Sequence, residues 1–239
     1  MPFFIKEVSK GKYKVCKKAN PQKCYSKKGI PKTNAIKQMR AIGISEGLKG
    51  GQTRQPLSAS ARGSINEVEH NSISDAELKF YLPNCIIKTY PELENIDDIE
   101  QLLPENNSYF ILLYLDTPNS GHWTCLKRFN DNINYFCSYG TYPDKQMNWY
   151  GKELRDKLGE DELYLTKLLN KTGLKVNYND IDYQNDKNLD IVTCGRHCIN
   201  FIKSNKDLKE YYKMMKKLKK DSGKDYDELV SEKIDVILD

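Results

Sequence analysis

The chain opens with short alternations of apolar and polar residues. Residues 3–8, 12–17 and 23–27 each read as a strand with period two, and Gly11, Asn20-Pro21 and Gly29 break the chain between them. From Pro31 the period lengthens. Ala35, Ile36, Met39 and Ile42 fall on one helical face, and Pro31 suits a first helical position, so the pattern predicts a helix to about Ser45. This makes a ββα module, with a third short strand, over residues 1–46. Residues 47–74 then lose all period in a small, polar, Gly- and Ser-rich stretch that reads as a linker. Ser74 with Glu77 three residues on forms a capping-box signature ahead of Leu78, Phe80 and Tyr81, and a larger domain is expected over residues 75–239.

Within that domain, residues 109–115 (Tyr-Phe-Ile-Leu-Leu-Tyr-Leu) form a nearly continuous apolar run, which predicts a strand buried on both faces. A turn at 117–121 leads into a second strand beginning near His122. A hairpin turn at Asn130-Asp131-Asn132 returns the chain through 133–139 to Gly140. Further on, Cys198, Ile199 and Ile202 recur at helical spacing after Thr193-Cys194-Gly195, which puts Cys194 in the first turn of a buried helix. Residues 207–220, lysine-dense with Leu208, Tyr211, Met214, Met215 and Leu218 on one side, and residues 226–238 predict two closing helices with solvated outer faces. The fold class expected is α+β.

Composition narrows the classes. In 239 residues no apolar run reaches the 18 or more a membrane helix requires, and the N-terminal Met-Pro-Phe-Phe-Ile-Lys-Glu does not read as a secretory signal, so no membrane partner is expected. The net charge of +5 is unevenly spread. Residues 1–50 hold thirteen Lys and Arg against Glu7 and Glu46, giving +11 there and −6 over residues 51–239. Ten lysines between residues 6 and 32, among them Lys12, Lys14, Lys17, Lys18, Lys27 and Lys28, exceed what solubility requires and nominate a nucleic-acid contact. Phe3, Phe4, Tyr13 and Tyr25 serve equally as base-stacking platforms or as the module's small core. Seven cysteines without a CxxC pair point to free thiols in a reducing compartment, with neither a disulfide scaffold nor a metal site, and no cofactor is expected.

Cysteine chemistry needs a thiol that can become a thiolate, a base within reach, and donors for a developing oxyanion. Cys194 at a helix start meets unpaired backbone N–H groups and the positive end of the helix dipole, which lower a thiol pKa, and Gly195 would let a substrate backbone approach closely. Of the three histidines, His70 lies beside the linker and His197 on the nucleophile's own helix. His122 is therefore the candidate base, and Gln184, ten residues before Cys194, the candidate oxyanion donor.

The order Gly121-His122-Trp123, residues 135–140 (Tyr-Phe-Cys-Ser-Tyr-Gly), Tyr183-Gln184 and Thr193-Cys194-Gly195-Arg196-His197 resembles the adenain-like and SUMO-protease-like cysteine peptidases over residues 75–205. It looks most like the maturation proteases of virophages, Polinton-type elements and giant DNA viruses. The resemblance implies a papain/adenain-like core, a mixed sheet packed against the nucleophile's helix, and endopeptidase cleavage after small residues. The substrates it implies are viral capsid and structural precursors, in the cytoplasmic viral factory and the virion, with the enzyme a monomer. A deubiquitinase- or deSUMOylase-like isopeptidase, or a non-catalytic nucleic-acid-binding structural protein, would share the same outline. One position departs: where the group carries Asp or Glu to orient the histidine, this chain has Cys137, so a Cys-His dyad, Asp131, Asp144 or a water are all open as substitutes. Gly50-Gly51 in the linker matches the implied specificity, and cleavage after Gly51 would release the basic module, which the resemblance reads as a tether to DNA until it is cut away.

Overall fold

The computed structural model describes residues 3–17, 20–25, 28–30, 35, 69–70, 72–185 and 191–234. It is an α+β protein, with two sheets among the described residues. The first is a three-stranded antiparallel sheet in the order β1 (Phe3–Ser9), β2 (Lys12–Lys17), β3 (Asn20–Cys24). Its third strand falls earlier than the sequence pattern places it, because Cys24 pairs with Cys16 and a disulfide joins them. That bridge departs from the reading of uncommitted thiols; Cys85, Cys125, Cys137, Cys194 and Cys198 are free. Val15 and Ala35, with Tyr13, Tyr25 and Ile30 against them, form this module's own small core, which assigns the two tyrosines a packing role. Of the helix expected from Pro31, only Ala35 lies within the described residues, and it is helical.

The second sheet has five strands in sequential order: β4 (Ile86–Thr89), β5 (Tyr109–Thr117), β6 (Ser120–Phe129), β7 (Asn132–Cys137) and β8 (Lys175–Tyr178). The three central strands are antiparallel, and the outer pairs β4·β5 and β7·β8 are parallel, so the sheet is mixed. Asn130 and Asp131 both have positive φ, as a two-residue turn matching the right-handed strand twist requires, and this makes the β6–β7 hairpin.

Helices cover both faces. On one face, Ile111, Leu113, Trp123, Cys125 and Phe136 pack under α4 (Cys194–Lys203), backed by α5 (Leu208–Ser222) and α6 (Tyr226–Lys233). On the other, Phe110, Leu112, Tyr114, Leu126, Ile133 and Tyr135 meet Tyr90 and Leu93 of a 3-10 turn and Leu165 and Leu168 of α3 (Tyr164–Lys171). The alternate residues of β5 thus divide between two cores, which is why its sequence is apolar almost throughout. Two further helices among the described residues are α1 (Asp75–Tyr81) and α2 (Lys152–Leu158). The Ser74 capping box forms at α1, with Ser74 N donating to Glu77 at 2.7 Å and Glu77 N to Ser74 Oγ at 3.3 Å. Among the described residues no helix is long and apolar enough to cross a membrane.

Candidate active site

The site grows from the mouth of β6. Gly121 lies so close to β5 that a Cβ there would sit 1.8 Å from the Tyr114 carbonyl oxygen, so only glycine permits this pairing. It sets His122 directly opposite Tyr114. The His122 ring is buried, stacked on Tyr139 at 4.8 Å between centroids and flanked by Trp149 at 5.6 Å. Its Nε2 lies 3.3 Å from the Cys137 sulfur at the end of β7.

Cys137 is fully buried and has three polar neighbours. Besides His122, Thr141 Oγ1 lies at 3.1 Å, and Gln146 Nε2 donates to the sulfur at 3.3 Å. Burial pushes this thiol above its ordinary value, and the Thr141 and Gln146 contacts pull it partly back. The residue at the acid position therefore touches the imidazole, and the ring nitrogen facing the other way is Nδ1. The alternatives Asp131 and Asp144 are committed elsewhere. Asp131 lies in the exposed hairpin 3.6 Å from Arg128, while Asp144 accepts from the Tyr114 hydroxyl at 3.0 Å and from Thr166 N at 2.8 Å.

Cys194 is the first residue of α4, as the helical spacing predicts, with Thr193 as its N-cap. The start of this helix closes onto the residue after His122. A Cβ on Gly195 would lie 3.2 Å from Trp123 Cδ1 and 3.2 Å from Ile73 Cβ, and Trp123 Nε1 donates to Ile73 O at 3.1 Å. Gly195 therefore lets the start of α4 pack closely on Trp123 and Ile73. The thiol itself is buried, and burial pushes it up to about 11, reinforced by Cys137 and Asp116 and opposed by backbone hydrogen bonds from Trp123 and Gly195. The lowered thiol pKa expected from the helix start is thus overturned: the backbone donors are there, but desolvation outweighs them.

Gln184 is held at both ends of its amide. Its Oε1 accepts from Ser138 Oγ at 2.9 Å, and its Nε2 donates to Ile191 O at 2.9 Å. Tyr183 N and Gln184 N both donate to Ser138 O, at 2.7 and 2.9 Å, which clips this loop to the residue after Cys137. These bonds turn the NH₂ end toward the stretch leading to Cys194 and use one of its two hydrogens.

The third histidine has a carboxylate of its own. His197 Nε2 lies 3.0 Å from Asp227 Oδ1, both side chains being buried. Asp227 also accepts from Thr193 Oγ1, and from Asn185 N at 2.7 Å. Burial alone would raise the Asp227 carboxyl, but His197, Thr193 and Asn185 together hold it below the ordinary carboxylate value. Neither Asp227 nor Ser138, Thr141 and Gln146 was singled out by the sequence pattern. A capping box at Asp225 with Glu228 marks the start of α6, but nothing in the spacing says that residue 227 turns inward.

Among the described residues, the lysines of the basic module do not all share one face. Lys12 and Lys14 share a face of β2, with Lys6 paired opposite Lys14, whereas Lys17 points the other way and lies over the Tyr25 ring at 5.6 Å; Lys28 is exposed. Lys18, Lys27, Gly50 and Gly51 lie outside the described residues. Among the described residues, no group of three or more His, Cys, Asp and Glu is placed to hold a metal ion.

No protein-family model matches the chain, and no solved structure matches it. It is 34% identical over 140 residues to a Sputnik virophage protein named uncharacterized protein V9, a match spanning 54% of this chain and 79% of that protein. The chain belongs to that virophage family. Membership supplies a viral relative but no chemistry; the chemistry of this virophage-family protein lies in the arrangement of its own side chains.

Proposed function

We propose that this protein is an adenain-like cysteine endopeptidase, with Cys194 as nucleophile, His122 as general base, and the Cys194 N–H and Gln184 amide as oxyanion donors. The observation that carries the reading is the closure of the α4 start onto β6: a Cβ on Gly195, the residue after Cys194, would lie 3.2 Å from Cδ1 of Trp123, the residue after His122. Two stretches far apart in sequence thereby bring the thiol and the imidazole's strand together in one place.

The chemistry follows from that placement. The resting thiol is neutral, so His122 takes its proton as sulfur attacks the scissile carbonyl, and returns it to the leaving amine. Cys137 at Nε2 accepts the imidazole N–H, weakly because it is a neutral thiol, and fixes the ring so that Nδ1 is the basic nitrogen. The Gln184 amide, pinned by Ser138 and Ile191, needs no reorganisation to donate to the oxyanion. The virophage relation supports a viral setting; within it the proposed substrates are viral structural precursors, cut after small residues of the Gly-Gly type during virion maturation in the viral factory and virion. The basic module is then a DNA tether removable by cleavage after Gly51.

The test is turnover of a Leu-X-Gly-Gly peptide with a fluorogenic leaving group, alongside ubiquitin-like conjugates. Peptide cleavage that vanishes in Cys194→Ala and His122→Ala, with conjugates untouched, is the expected result. Preference for conjugates would favour the isopeptidase alternative. A thiol-directed covalent probe that does not label Cys194 selectively, together with no turnover, would sink the enzyme reading and leave a structural role.

A further inference from the structure

We infer that Asp227 is a positioning residue that fixes the separation of the two oxyanion donors, an inference that rests on the peptidase reading of Cys194 and Gln184. Its carboxylate reaches two parts of the site at once. Oδ2 accepts from the backbone N–H of Asn185, the residue after Gln184, at 2.7 Å. Oδ1 accepts from Thr193 Oγ1, the residue before Cys194, and from His197 Nε2 at 3.0 Å, one turn along the same helix. Each donor therefore lies one residue from a hydrogen bond to a single carboxylate.

The bond set is costly and specific. Asp227 is buried, and a carboxylate is tolerated there only because donors meet both of its oxygens. Thr193 occupies the N-cap of α4 but its hydroxyl does not cap the helix; it turns instead to Asp227. An N-cap hydroxyl ordinarily satisfies a free N–H of the first turn. Diverting it leaves the N–H groups of Gly195 and Arg196, the second and third helical positions that an N-cap hydroxyl ordinarily bonds, to other partners. Asp227 is carried in by α6, whose own start is closed by the Asp225–Glu228 capping box, so the clamp is anchored on a rigid element. The arrangement parallels His122 and Cys137 on the other side of the nucleophile, but His197 here serves the frame and not proton transfer.

The discriminating measurement is a double-mutant cycle between Asp227→Asn and Gln184→Ala, with kcat and KM determined separately and each rate normalised to the amount of Cys194 labelled by a thiol-directed probe. Asparagine keeps the shape but cannot accept at both oxygens. Its loss should appear in kcat, about tenfold to a hundredfold, with KM within about twofold, because the oxyanion exists only beyond the ground state. In the Gln184→Ala background the same substitution should cost less than about threefold, since one of the two donors it spaces is already gone. An equal factor in both backgrounds, or an Asp227→Asn enzyme with wild-type kcat, would overturn the inference. Should Asp227→Asn fail to fold, Thr193→Val removes one bond from the clamp without changing side-chain shape, and the same coupling is expected of it. A wild-type protein that cleaves no peptide sinks the peptidase reading instead.

Discussion

Replacing Cys137 by Asp should make the proposed enzyme faster. The cost to be lowered is the proton transfer itself. Burial pushes the Cys194 thiol up to about 11, so handing its proton to a neutral imidazole is uphill. The present partner of the imidazolium at Nε2 is a neutral sulfur at 3.3 Å, which offers it little. Aspartate is close to cysteine in size, and the pocket already holds Thr141 Oγ1 and Gln146 Nε2 as donors beside the imidazole, so the new carboxylate would not be stranded. A charged hydrogen bond of about 1.5–3 kcal/mol, expressed mainly when His122 is protonated, corresponds to about a tenfold to hundredfold gain in kcat/KM. The same carboxylate favours the imidazolium, so the acidic limb of the pH–rate profile should move to higher pH. The assay is peptide turnover across pH 5–9 for wild type, Cys137→Asp and Cys137→Ala, with thermal unfolding measured alongside. If the folded Asp variant shows no gain and no shift of that limb, Cys137 does not orient His122 and the reasoning fails.

Three other outcomes test the frame around the site. Gly121→Ala forces a Cβ toward the Tyr114 carbonyl and should cost at least about 3 kcal/mol of stability, read by chemical denaturation, with little Cys194 labelling in what remains folded. Glu160 is buried at the end of β5, accepting from Leu115 N at 2.5 Å, and burial pushes its carboxyl up to about 8 from an ordinary 4.5. Between those values the folded chain keeps a proton that the unfolded chain releases, so stability should fall as pH rises from about 4.5 to about 8, and Glu160→Gln should flatten that slope in pH-dependent unfolding. Reducing the Cys16–Cys24 disulfide should weaken the N-terminal sheet by about 2–3 kcal/mol, seen as faster amide exchange over residues 12–24 and unchanged exchange in the five-stranded sheet.

The sequence by itself determined the elements that local chemistry specifies. The Ser74–Glu77 capping box, the doubly buried β5, the β6–β7 turn at Asn130 and Asp131 and the helix starting at Cys194 all follow from caps, turn conformations and apolar period, which act over a few residues. It also nominated the four residues of the candidate site, because their types and order are unusual together. What only the tertiary structure decided are the contacts between distant positions. That Cys137 rather than Asp131 or Asp144 meets His122 depends on strand register. Whether the Cys194 thiol lies high or low depends on how much of it the packed sheet removes from water. Asp227 entering beside Thr193 and Asn185 depends on the docking of α6, and Cys16 meeting Cys24 on the β2–β3 pairing. The physical reason is the same in each case: a side chain's partner across the fold is chosen by packing, and packing leaves no period in the chain to read.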